Sequence, residues 1–227
     1  WPTDSLQLFL YQVFKKIPKH LKLSLSNTTM DQNEWYKFFD FINNPELGGS
    51  YNALSVLIWD NNPLHVNLFS FLKRNTNLTS LQMNNCFNNQ HENNEIFDHM
   101  NDFLKSANNL RTLAIHGCDD CYLGQNTQTI LSGINSLKNL EELDISDSRG
   151  GNQSIGPIEN LLKQHPKLRI NFDGLRPTEF EPYAQFCRNA VQIKVPESTD
   201  QNPSLVQQNP LLRITFPILE RRTKSIT

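Results

Sequence analysis

Four segments of the chain align without a gap, and this internal repetition restricts the fold more than any other feature. They are LSVLIWDNN from Leu54, LTSLQMNNC from Leu78, LRTLAIHGC from Leu110 and LEELDISDS from Leu140. Each carries an apolar residue at its first, fourth and sixth positions and a small polar residue or cysteine at its ninth: Asn62, Cys86, Cys118 and Ser148. Positions four and six are two apart, so on an extended strand both side chains lie on one face. Leu57 with Trp59, Leu81 with Met83, Leu113 with Ile115 and Leu143 with Ile145 are therefore expected to point inward. The ninth position turns the chain out of the strand, where buried backbone groups need polar partners.

Looser copies flank the four. HLKLSLSN around Leu21, Leu23 and Leu25 reads as an earlier strand, and KLRINFDG around Leu168, Ile170 and Phe172 as a later, shortened one. LLRITFP around Leu212, Ile214 and Phe216 repeats the shortened form, and VQIKV from Val191 to Val195 supplies one more strand. Between strands the apolar period lengthens to that of helices. Helices are predicted over Asp31–Asn43, over Leu64–Arg74 with Pro63 at its first turn, and over Asn94–Ser106. Further helices are predicted over Thr127–Ser136, over Ile158–His165 before Pro166, over Glu179–Asn189, and over a short turn from Pro203 to Gln208.

The pattern L-x-x-L-x-L-x-x-N/C resembles the leucine-rich-repeat family, and its long spacing with full helices resembles the ribonuclease-inhibitor type. The resemblance implies an α/β leucine-rich-repeat solenoid with a curved parallel sheet on the concave side and helices on the convex side. Residues 1–20 then form an N-terminal helix or cap, 21–217 about seven to eight repeats with irregular last members, and 218–227 a tail. Ser5–Lys16 is amphipathic, with Leu6, Phe9, Leu10, Val13, Phe14 and Ile17 on one side, as a cap requires. The chain opens on Trp1 rather than methionine, so a processed product or a portion of something longer is expected.

A solenoid of this kind implies binding of another protein, through the strand residues that alternate with the inward ones. The expected partner-binding positions are Val56, Ile58, Asp60, Gln82, Asn84, His116, Glu142, Asp144, Arg169, Asn171, Lys194 and Arg213. Val56 and Ile58 make an apolar spot, Glu142 and Asp144 an acidic step, and Arg169, Lys194 and Arg213 a basic end. Graded charge with apolar anchors suits protein recognition. Loops at Asn84–Asn94, His116–Asn126 and Ser146–Ser154 exceed what the repeat needs; the asparagine-rich first of them reads as a tolerated surface insertion.

Other chemistry finds little support. A net charge of −2 offers no basic field for nucleic acid, and no apolar run is long enough to insert into a membrane. No phosphate-cradling glycine loop, nucleophile elbow or His-Glu-x-x-His occurs, so neither an enzyme nor a cofactor is expected. Cys118 and Cys121 within HGCDDC could hold zinc, but Cys118 already has a place in the ninth column and no second pair exists, so no metal is expected. The four cysteines do not form the framework of a small secreted protein, which favours free thiols in a reducing compartment, cytoplasmic or nuclear. Asparagine is in excess, as in proteomes of AT-rich genomes, and sequons at Asn27, Asn77 and Asn152 are then expected by chance. The expected function is a non-catalytic interaction or scaffolding module, by itself or as one subunit of a larger complex. One alternative is a regulator of an enzyme, since such repeats resemble those of GTPase activators and nuclease inhibitors. The other is a ubiquitin-ligase adaptor, since WPTDSLQLFLYQVF resembles the opening of an F-box, with Pro2, Asp4, Leu6 and Phe9 in place.

Overall fold

The computed structural model describes residues 20–43, 54–86, 94–115, 123–145, 160–161, 163–165, 168–171, 192–194 and 213–214, together with Ser5, Leu8 and Gln12. The molecule is α/β. Its strands are β1 (Leu21–Ser26), β2 (Leu54–Asp60), β3 (Ser80–Gln82), β4 (Thr112–Ala114), β5 (Glu142–Asp144), β6 (Arg169–Asn171), β7 (Gln192–Lys194) and β8 (Arg213–Ile214). They form one parallel sheet in which spatial order is chain order. The helices α1 (Gln32–Asn43), α2 (Val66–Arg74), α3 (Asn94–Ser106) and α4 (Leu123–Asn135) fall between successive strands from β1 to β5. Each packs on the next, α1 on α2, α2 on α3 and α3 on α4. Residues 160, 161, 163 and 164 are also helical.

The aligned columns become rows running across the sheet. Leu23, Leu57, Leu81, Leu113, Leu143, Ile170, Ile193 and Ile214 occupy equivalent positions on consecutive strands. From Leu57 to Ile170 this row is buried, and it shares one core with Leu68, Phe69, Phe97, Met100, Phe103, Leu104, Ile130, Ile134 and Leu161. Strands β3 to β6 are three residues long and each buries its middle residue. The ladder continues just before β3, β4 and β5, with Thr79, Arg111 and Glu141 N–H groups donating to Ser55, Thr79 and Arg111 carbonyls at 2.8 Å, and the Arg169 N–H that opens β6 donates to the Glu141 carbonyl at 2.9 Å.

Aromatic mass concentrates near β2. Trp35 of α1 lies 4.7 Å from Trp59 between ring centroids and stacks on Phe39 at 5.7 Å. Phe38 meets Trp35 edge-on at 5.6 Å. The Trp59 indole N–H donates to the Pro63 carbonyl, whereas the buried Trp35 N–H has no hydrogen-bond partner among the described residues.

Local chemistry sets the helix ends. Asp31 and Glu34 form a reciprocal capping box: the Glu34 N–H donates to the Asp31 carboxylate at 2.9 Å and the Asp31 N–H to the Glu34 carboxylate at 2.8 Å. The start of α2 differs from the expectation built on Pro63. The helix begins at Val66 with His65 as its cap, and the His65 Nδ1 accepts from the Asn67 N–H. Its ring also stacks on Phe39 at 5.3 Å, so packing against α1 chooses the cap. The helix expected from Thr127 begins earlier, at Leu123, which shortens the preceding loop. The helices expected over Glu179–Asn189 and Pro203–Gln208 lie outside the described residues, as do the six apolar residues of the N-terminal amphipathic segment. Leu8 of that segment is exposed.

Candidate functional site

The face of the sheet opposite the helices is the candidate site, because the register aligns its residues in two further rows. One runs Lys22, Val56, Ser80, Thr112, Glu142, Arg169, Gln192 and Arg213. The other runs Ser24, Ile58, Gln82, Ala114, Asp144, Asn171 and Lys194. Val56, Ile58, Gln82, Glu142, Asp144 and Asn171 are half-buried, and Arg169 is exposed. The side chains of Lys194 and Arg213 lie outside the description, and so does His116 entirely; the first two hold their register positions by backbone pairing alone.

Hydrogen bonds tie the polar members of these rows across strands. The carboxylate of Asp60, on β2, accepts from the Gln82 amide at 2.8 Å and from the Asn84 N–H at 3.1 Å. The Asn171 amide donates to Asp144 at 3.0 Å. Glu141 and Glu142 are each paired with an arginine. Glu141 takes Arg111 from β4's side at 3.0 Å, and Glu142 takes Arg169 from β6. Adjacent in sequence, the two lie on opposite faces of the extended chain, and each pairs with a residue from a different neighbouring strand. Both pairs remain in contact with solvent, so each stabilises by at most about 1 kcal/mol.

The ninth column lies at the edge of this face and closes the turns. Asn62, 2% exposed, donates its amide to the Leu25 carbonyl at 2.9 Å and accepts from the Thr28 N–H and hydroxyl at 2.9 and 2.7 Å. Cys86, the equivalent residue one strand later, sends its thiol to the Trp59 carbonyl. Burial pushes that thiol up to about 12, so it is a neutral donor rather than a nucleophile. Cys118 and Ser148 of this column lie outside the described residues, as does the HGCDDC segment. Among the described residues no group of three or more His, Cys, Asp or Glu is placed to hold a metal. Among them, too, no helix is long and apolar enough to cross a membrane.

Asparagine has structural work that composition did not reveal. Asn27, Asn61 and Asn85 follow β1, β2 and β3 with φ of 51°, 53° and 53°. Asparagine tolerates this left-handed region better than most residues. Before the strands, Asn109 donates to the Thr76 carbonyl at 2.8 Å and Asn139 to the Asn108 carbonyl at 2.7 Å. These contacts are equivalent, each reaching back to the preceding strand connection. An asparagine immediately before the first-column leucine (Leu110, Leu140) was the available signal.

The site is thus a polar sheet face with an apolar spot and built-in cross-strand pairs. Comparison with known protein families and with curated proteins finds no match for the chain.

Proposed function

We propose that the chain is a leucine-rich-repeat solenoid acting as a non-catalytic protein-binding module, with the exposed sheet face as its docking surface. The observation that carries this reading is the pair of in-register rows on that face. A rigid ladder presents Val56, Ile58, Gln82, Asp144 and Asn171 at fixed intervals of about 4.8 Å from strand to strand. Side chains held by cross-strand hydrogen bonds lose little further entropy when a partner docks. The nonsequential pairs Glu142–Arg169 and Asp60–Gln82 support such preorganisation. A neutral, buried Cys86 thiol suits a reducing compartment, cytoplasmic or nuclear. Repeats of this type place the sheet on the inside of a curved array, which would give the partner a cradle.

The test is affinity capture from the native source with the unmodified protein, Glu142→Arg and Arg169→Glu. Weakened capture of the same partner by either reversal supports the docking face. Capture unchanged in both overturns it.

A further inference from the structure

We infer that the Asp60 end of this face recognises a partner segment carrying an arginine or lysine beside a bulky apolar side chain; the inference rests on the docking face proposed above. Asp60 is the carboxylate of the face that adjoins its apolar spot, Val56 and Ile58. Glu142 is neutralised by Arg169, and Asp144, which accepts from the Asn171 amide, lies three strands away on β5. Among the described residues Asp60 is held by uncharged donors, the Gln82 amide and the Asn84 N–H. Among the described residues no cation pairs with it. Each carboxylate oxygen has given one hydrogen bond site to β3 or its exit, and a carboxylate offers about four such sites. The group is therefore fixed in place and retains its charge and accepting capacity for an incoming cation.

Its neighbours define the rest of the ligand. Ile58 and Val56 lie on the same face of β2, half-buried, with Ser24 and Gln82 flanking Ile58 and Ser80 flanking Val56. Two residues along a parallel strand span roughly 6.6 Å, so the carboxylate and the first apolar contact sit about one such step apart. A matching cation and apolar side chain stand two residues apart in an extended segment, or three to four apart on a helix. Lys22 sits beside Val56 at the other end of this strip, so an acidic residue beyond the apolar one would fit there and fix the segment's direction.

The experiment is selection of random peptides displayed on phage against the full chain, followed by titration of the enriched peptides. Enrichment of a cation at the stated spacing from an apolar residue is expected. Binding should fall about tenfold or more in Asp60→Asn, and equally when the peptide's own cation is changed to glutamine, a comparison that leaves the protein's fold untouched. Peptides lost by Ile58→Lys but indifferent to Asp60→Asn and to their own cation overturn this inference and leave the docking face standing. Peptides indifferent to Ile58→Lys as well overturn both. Enrichment of acidic peptides, or of none, overturns the assignment of a basic segment.

Discussion

The side-chain amide of Asn62 donates to the carbonyl of Leu25 across 37 residues of sequence, joining the turn after β2 to the strand β1 beside it. The same side chain accepts twice from Thr28. Truncation in Asn62→Ala would leave the Leu25 carbonyl and the Thr28 N–H without these partners in a buried site. A loss of about 2–4 kcal/mol is expected. Thr28→Val removes one donor and keeps the backbone bond, so its cost is about 1 kcal/mol. Urea unfolding of the two variants checks the order, and equal losses would contradict the account.

Cys86 is predicted to resist alkylation in the folded protein. Its thiol, raised to about 12 by burial, stays protonated at ordinary pH, and its neighbours exclude reagent. Peptide-resolved mass spectrometry after iodoacetamide treatment at pH 8 should find Cys86 unmodified until urea is added. Labelling equally fast with and without urea would show that the thiol is neither buried nor bonded to Trp59.

Gly133 allows α4 to lie against α3. A Cβ there would stand 2.9 Å from Asn101 Oδ1 and 3.0 Å from two carbons of Leu104. Gly133→Ala gains about 1 kcal/mol of helix propensity yet meets an overpacking cost of about 1–3 kcal/mol. Net destabilisation is expected, visible as a lower thermal midpoint. Asn101→Ala in addition should recover part of the loss, because it removes the nearest of the three atoms and the residues are in contact. A higher midpoint for Gly133→Ala alone would refute the packing argument.

Stability should fall as the solution is acidified from pH 7 to 5, partly through His65. Burial lowers its pKa below the usual 6.5, against the opposing pull of Asp40. A group whose folded pKa is depressed favours the fold above its unfolded value and withdraws that stability as pH drops through 6.5 toward the folded value. Protonation also takes the Nδ1 acceptor from the Asn67 N–H and sets a positive charge at the start of α2. His65→Asn keeps a capping acceptor without titrating, so its stability should depend less on pH over this window. His165, whose pKa burial also lowers, leaves a residual slope. Identical slopes for the variant and the unmodified protein would exclude His65 as a contributor.

Much of the architecture was legible before any coordinates. Alternation of period two placed Leu57, Leu81, Leu113 and Leu143 inward, and the gap-free alignment put them on equivalent strands, because a short strand with one buried face has a single workable register. Helix periodicity located α3 to the residue. Tertiary structure decided what depends on a neighbour some 22 to 37 residues away. His65, stacked on Phe39, caps α2, so the helix begins at Val66 rather than at Leu64 after Pro63. Register sent Glu141 to Arg111 and Glu142 to Arg169, and left Asp60 to uncharged partners. Asparagine, read in the sequence as excess, took particular tasks in left-handed turns and strand connections. Local pattern specifies which face a residue occupies; a polar side chain's partner is set by the adjacent strand, and only the folded sheet brings that strand within hydrogen-bond reach.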